Sequence, residues 1–360
     1  MLISNILFTF VIVIALDVVL VRVGSLLRVF DHPNVRSLHK LTVPRTGGIA
    51  MLAGILVSSA LSTEIGFYPL SETKFYLLLG LTSLVIISFL DDCQNIAAKW
   101  RILIHLLAAV SLLVAGLAPG NLKLLDLTLP LASWVAIFIT LLFGGWMINL
   151  YNFMDGMDGF AGGMTLIGFS TLAWLGRADA AFTDVCLIVA AASAGFLIHN
   201  FPPAKIFMGD TGSTALGFLA AACTLWGSKA NLFPLWIAIL VFSPFIVDAT
   251  VTLLRRVLRG EKVWQAHRSH YYQRLVLLGW GHRKTVLAEY VLMLVCAGSA
   301  VLAMELPPAG QTWLLVIWVF IYSLLIWGVG RLERRHATVS VSYTHLSSTN
   351  QQDDLFVDIG

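Results

Sequence analysis

The sequence predicts an all-α polytopic integral membrane protein of about eleven transmembrane helices, with the N-terminus periplasmic and the C-terminus cytoplasmic. Hydrophobic residues make up 58% of its 360 residues and charged residues only 12%, against about 25% in soluble domains. The apolar residues fall in separate runs close to the roughly 20 residues that span a bilayer. The Lys and Arg residues gather on one set of connections between those runs. A net charge of +3 gives no reason to expect a nucleic-acid partner. Cys93, Cys186, Cys223 and Cys296 are widely spaced, with no CxxC and no partnered His, so neither a disulfide framework nor a zinc site is indicated.

Taken in order, the apolar segments lie at about 2–21, 47–63, 74–90, 102–118, 130–148, 161–176, 181–199, 212–227, 233–254, 286–304 and 311–330. The first has no basic n-region and no small-residue cleavage site after it, so it is expected to be a retained span rather than a signal peptide. Eleven spans put connections 22–46, 91–101, 149–160, 200–211, 255–285 and the end after 330 on one side. Those stretches hold 19 of the 23 Lys and Arg; the other side keeps Lys74, Lys123, Arg177 and Lys229. By the positive-inside rule the first side is cytoplasmic. Residues 1–335 then form one transmembrane domain, and the polar segment 336–360 reads as a flexible cytoplasmic tail.

The motifs all fall on the predicted cytoplasmic side. The stretch 149–159, Asn-Leu-Tyr-Asn-Phe-Met-Asp-Gly-Met-Asp-Gly, places Asn149, Asn152, Asp155 and Asp158 at intervals of three where the fifth span meets water. Neighbours in that series share a helical face. The face drifts by about 60° per step, so the helix is expected to end inside the motif, with Gly156 and Gly159 loosening the backbone. Acids and amides at a membrane boundary point to a cation, a polar substrate or both. Asp91 and Asp92 end the third span; adjacent carboxylates repel unless a cation or proton relieves them, and Lys99 and Arg101 follow.

The first connection carries His39-Lys40 and Pro44-Arg45-Thr46-Gly47-Gly48. Its basic residues and paired glycines ahead of a helix suit either a phosphate held by backbone N–H groups or an anionic lipid surface. Asp210 lies between Gly209 and Gly212 at the expected start of the eighth helix, where a plain helix cap is the simpler reading, with Phe207 three residues before it. The loop 255–285 holds His267-Arg268-Ser269-His270-Tyr271-Tyr272-Gln273-Arg274, donors and aromatics suited to a diphosphate and a sugar, or to lipid headgroups. Asp248 is open between a structural acid paired to Arg255 or Arg256 and a catalytic one.

Taken in order, the blocks 44–48, Asp91-Asp92, 149–159, 207–213 and 267–270 resemble the polyprenyl-phosphate N-acetylhexosamine-1-phosphate transferases, over about residues 1–330. The His-Arg-Ser-His form of the last block looks like the O-antigen initiating branch, which eleven spans also suit. The resemblance implies that N-acetylhexosamine 1-phosphate passes from a UDP-sugar to undecaprenyl phosphate, releasing UMP and starting O-antigen, lipopolysaccharide or other cell-envelope glycan assembly. Such an enzyme would sit in a bacterial inner membrane among its lipids, with its active site on the cytoplasmic face. The donor would be UDP-N-acetylglucosamine or a 6-deoxy relative such as the N-acetylfucosamine or N-acetylquinovosamine nucleotide, with a mild tilt toward the 6-deoxy group.

The resemblance also implies Mg2+, with Mn2+ able to substitute, held by Asn152 and Asp210. Asp91, Asp92, Asp155, Asp158 and His267 would be catalytic. Lys40, Lys99, Arg101, Asn149, Asn200, Phe207, Arg268 and His270 would bind substrate, Phe207 by stacking on uracil. Oligomeric state stays open, a homodimer included. Among competing readings, the CDP-alcohol phosphotransferases need Ala-Arg two residues after the first Asp-Gly, whereas Asp155-Gly156 runs into Met157-Asp158. The alternative from another class is a secondary transporter with the acids as a cation pathway; its acids belong near mid-membrane and its halves often repeat, unlike the pattern here.

Overall fold

The computed structural model describes residues 2–27, 30–31, 38, 42–62, 71–94, 96–262 and 267–353, with side chains described to 336 except at 23–27. Lys40 of the predicted substrate contacts lies outside them. Each of the eleven apolar segments is met by a helix or a helix pair. α1 is Leu2–Leu27, and a two-residue antiparallel bridge, β1 (Phe30–Asp31) with β2 (Val43–Pro44), leads into α2, Gly47–Leu61. α3 (Glu72–Gln94) and α4 (Ala98–Val114) form an antiparallel pair, and the hairpin β3 (Asn121–Leu124) and β4 (Leu127–Pro130) joins α4 to α5, Ser133–Met154. α6 (Phe160–Leu175), α7 (Ala180–Asn200), α8 (Gly209–Lys229), α9 (Leu235–Val241) and α10 (Ser243–Leu258) follow. The chain ends with α11 (Tyr271–Leu275), a π-helical turn (Val276–Trp280), α12 (Gly281–Ala303) and α13 (Pro308–Asp353). α13 continues past 335 to Asp353.

Six of these helices are long and apolar enough to cross a membrane, seven if a bent pair counts as one. The fold is thus a mostly helical polytopic membrane protein. α8 explains part of the difference from eleven. It is 21 residues long but carries Thr211, Ser213, Thr214 and Thr224, all buried. It packs against α2, α3 and α5, so it meets protein rather than lipid and need not be uniformly apolar. Lipid-facing character falls instead on α1, α12 and α13, where Val11, Val291 and Phe320 are among the exposed apolar residues.

The expected single span 233–254 is two helices, α9 and α10, bent by 82°. Pro244 has no N–H and fits only the first turn of a helix, so α9 ends and α10 begins around Phe242, where Ser243 Oγ donates to Leu240 O at 2.7 Å. Gly279, at φ +91°, likewise kinks the π-helical turn.

Candidate active site

The site is assembled from helix ends that meet at one end of the bundle. α3 delivers Asp91 and Asp92, and α8 begins opposite them. Met208 at the N-cap of α8 offers no side-chain acceptor. The carboxylate of Asp92 does that work from α3: Oδ1 accepts from Asp210 N at 3.0 Å, and Oδ2 from Thr211 N at 3.0 Å and Thr211 Oγ1 at 2.7 Å. An anion there also meets the positive end of the helix dipole. Gly209, at φ +73°, lets Asp92 approach; a Cβ at that position would stand 2.9 Å from its Oδ2. Asp210 is therefore not the cap of its own helix, and its carboxylate is left for other partners.

Asp91 accepts from Ile96 N and from Arg101 Nη1, both at 2.5 Å. The same Arg101 nitrogen lies 3.4 Å from Asp210 Oδ2, so one guanidinium, a third exposed, bridges the two acids. Arg45 lies 4.0 Å from Asp92 Oδ1 and pairs with Asp31 at 2.9 Å. On α5, Asn152 Nδ2 donates to Ser213 Oγ at 3.2 Å, one turn into α8 and three residues beyond Asp210, which leaves its carbonyl oxygen unused by that bond. α5 ends at Met154, inside the motif as its spacing implied, with half-buried Asp155 at the C-cap. Among the described residues, no donor bonds the Asp155 carboxylate. Burial, and then the charge of Asp210, push its pKa well above the ordinary carboxylate value, against the pull of Arg45.

Other predicted site residues have structural tasks. Asn200 is buried with both ends of its amide satisfied, accepting from Gly159 N and donating to Ile206 O, each at 2.9 Å. It ties two site loops together. Asp158 accepts from Ala204 N at 3.1 Å and lies 3.0 Å from His282 Nδ1, so it too clasps loops. Asn149, one turn below Asn152, bonds Gly145 O and His105. Lys99 is exposed, its Nζ 5.6 Å from the ring centre of Trp100.

The expected backbone cradle at Gly47-Gly48 is occupied: Gly47 N and Gly48 N donate to Phe207 O and Met208 O, both at 2.9 Å. These glycines serve close packing, since a Cβ on Gly48 would meet Gly212 Cα at 2.4 Å. The same ladder fixes half-buried Phe207 beside the start of α8, with Phe207 N donating to Pro44 O at 2.8 Å.

The loop before α11 forms a second cluster. Asp248 accepts from Tyr271 N at 2.9 Å and Tyr272 N at 3.1 Å, and contacts His270 Nδ1 at 3.2 Å, so it caps α11 and pairs with neither Arg255 nor Arg256. Tyr272 OH donates to Phe153 O, which binds this cluster to the α5 motif, and Gly156 leaves room for that hydroxyl. His267 Nδ1 accepts from Ser269, so Nε2 carries the proton when the ring is neutral. Burial, with the charges of His270 and Arg256, lowers the His267 pKa to about 4. Arg268 lines a separate cavity with Arg255 and Arg259. Sequence reasoning missed Asp92 as the cap of α8, because the pairing joins residues 118 positions apart.

No group of three or more His, Cys, Asp or Glu among the described residues is arranged to hold a metal unaided. Asp210, Asp155 and the Asn152 carbonyl supply a few hard oxygens, the donor set that suits Mg2+ when substrate phosphates and water complete its shell. The undonated Asp155 carboxylate is the feature that fits such an ion.

The profile of glycosyl transferase family 4 matches residues 74–228, from the first turn of α3 to the last turn of α8, a stretch that holds Asp91, Asp92, Asp155, Asp158 and Asp210. A probable undecaprenyl-phosphate N-acetylglucosaminyl 1-phosphate transferase of Bacillus subtilis (strain 168) is 32% identical over 306 residues, 83% of each chain. A decaprenyl-phosphate N-acetylglucosaminephosphotransferase of Mycobacterium leprae (strain TN) is 28% identical over 75% of each chain. An undecaprenyl-phosphate alpha-N-acetylglucosaminyl 1-phosphate transferase of Escherichia coli (strain K12) is 26% identical over 85% of this chain and 84% of its own.

Proposed function

We propose, from the premise that this chain belongs to the polyprenyl-phosphate N-acetylhexosamine-1-phosphate transferases of glycosyl transferase family 4, that it uses UDP-N-acetylglucosamine and undecaprenyl phosphate. A phosphate oxygen of the acceptor attacks the sugar-linked phosphorus; the bond to the UMP oxygen breaks, UMP leaves, and a polyprenyl-diphosphate sugar forms. The names of the relatives favour N-acetylglucosamine over the 6-deoxy sugars. The basic connections favour a cytoplasmic active site on a bacterial inner membrane, where the product would start a cell-envelope glycan.

The observation that carries the reading is Arg101, shared between Asp91 and Asp210 at the start of α8, the helix whose first turns Asn152 also bonds through Ser213. Phosphoryl transfer requires placement and charge neutralisation more than covalent help. A guanidinium held by two acids can turn one face to a phosphate and offer paired donors. Asp91 holds Arg101, and Asp92 fixes the first turn of α8 so that Asp210 faces the centre. Bound at Asp210, Asn152 and Asp155, Mg2+ would supply Lewis-acid neutralisation of the diphosphate. The acceptor phosphate, with a second pKa of about 6, is largely dianionic at neutral pH and needs little help from a base.

Purified protein with Mg2+ and undecaprenyl phosphate, offered a panel of UDP-N-acetylhexosamines, tests this directly. Lipid-dependent UMP from the N-acetylglucosamine nucleotide is the expected result. UMP from a 6-deoxy donor alone would overturn the sugar, and folded protein that is silent with every donor would overturn the assignment.

A further inference from the structure

We propose that the cleft between α10, α12 and α13 binds one anionic phospholipid, its phosphate among arginines at the loop end and its acyl chains along an apolar groove. Two cavities form this cleft. The first, of about 330 Å3, is lined by Arg255, Arg256, Arg259, Arg268, Arg274 and Glu333. The second, of about 510 Å3, follows α10, α12 and α13 past side chains such as Val247, Val295, Trp318 and Leu325. Chain neighbours line both at two points. Arg274 and Glu333 line the first, while their neighbours Leu275 and Leu332 line the second. A basic head thus continues into an apolar channel, the shape of a phospholipid.

Charge makes the same demand. Among the described residues, five guanidiniums line the first cavity with one carboxylate, Glu333, held by Nε of Arg274 at 2.5 Å, and Glu261 is bonded by Arg256 at 2.8 Å and lies 3.9 Å from Arg259. Arg256 and Arg274 are buried and each bonds a glutamate, while half-buried Arg255 and Arg268 and exposed Arg259 add positive charge to the same cavity, which favours an anion with several acceptor oxygens. At a membrane boundary that anion comes attached to acyl chains. Two acids interrupt the groove. Asp248 already accepts two backbone N–H groups, and Glu289 serves as a control below.

The occupant is distinct from the acceptor lipid. An acceptor phosphate must reach the cluster of Asp91 and Asp210, and neither residue lines either cavity. A resident lipid would instead brace α10 against the loop that holds His267 and His270.

Native mass spectrometry of the full chain, delipidated and then exchanged into nanodiscs of phosphatidylcholine with a minor share of phosphatidylglycerol, counts the retained lipid. One phosphatidylglycerol kept in preference to phosphatidylcholine is expected. The double variant Arg255→Gln, Arg259→Gln should retain it about fivefold less for each arginine removed. Leu325→Trp, which fills the groove, should lower retention as well, and Glu289→Gln should leave it unchanged, with thermal unfolding checking that each variant is folded. Equal retention of the two lipids, or retention unchanged in both the arginine and the tryptophan variants, overturns the site. Complete displacement by inorganic phosphate would mean an ion site without a lipid, and one-for-one displacement by undecaprenyl phosphate would make it the acceptor's site; either overturns the proposal.

Discussion

Asp92 and Asp210 face one another across the α3–α8 contact with different tasks. Asp92 accepts three hydrogen bonds from the first turn of α8, whereas the Asp210 carboxylate meets Arg101. Asp210→Ala should therefore lower UMP release by about 100-fold or more while the melting temperature holds, because no cap is lost. Asp92→Asn keeps one acceptor and loses another, so it should cost about 1 kcal/mol of stability as well as activity. Thermal unfolding of both variants beside the rate separates these roles; an unshifted melting point for Asp92→Asn would remove the cap. Protonation of Asp155 competes with a cation, and its raised pKa brings that competition above the ordinary carboxylate range near about 4. Apparent Mg2+ affinity should fall as pH is lowered, and Asp155→Asn should flatten the dependence; an unchanged slope would take Asp155 out of the ion's shell. For His267 the sign concerns stability. The folded ring resists a proton down to about 4, whereas the unfolded chain accepts one near about 6.5. Acidification between those values favours unfolding, and above about 6.5 the residue is neutral in both states and adds no pH dependence.

At the scale of the element, close helix crossings decide which glycines matter. Gly48 and Gly212 bring α2 and α8 so near that an added Cβ would overlap backbone, while a Cβ on Gly145 would find only Leu106 Cδ2 at 3.9 Å. Gly48→Ala should destabilise the protein by about 1–3 kcal/mol and Gly145→Ala hardly at all; similar melting points for the two would show that the crossing yields. Element positions were largely legible from apolar run length, and the site from clustering of acids and amides at helix ends. The break between α9 and α10 could have been read from Pro244, whose ring and missing N–H restrict it to a first turn. The use of Gly47 N and Gly48 N by the carbonyls of Phe207 and Met208 could not, because the partner lies about 160 residues away along the chain. The clasp that Asn200 makes between two loops was hidden for the same reason: an amide that joins loops and one that meets a substrate carry the same letter. Composition does not reveal which helix is surrounded by protein, so α8 resembled a span by length and differed by its hydroxyls.

For the whole molecule, the direction of the helices sets a test of topology. α3, α5 and α7 run toward the acid cluster and α4, α6 and α8 run away from it, so the hairpin of β3 and β4 lies at the opposite end. Cys93 adjoins Asp92 at the site end and is exposed, whereas Cys186, Cys223 and Cys296 are buried. A membrane-impermeant maleimide should therefore report on the site end through Cys93 alone, with no engineered cysteine required. If the basic connections face the cytoplasm, intact cells should leave Cys93 unlabelled and permeabilised cells should label it. Asp126→Cys, in the turn of the hairpin, should give the reverse and react in intact cells. Labelling of Cys93 from outside would invert the protein, placing the acid cluster on a face that a nucleotide-linked sugar made in the cytoplasm does not reach.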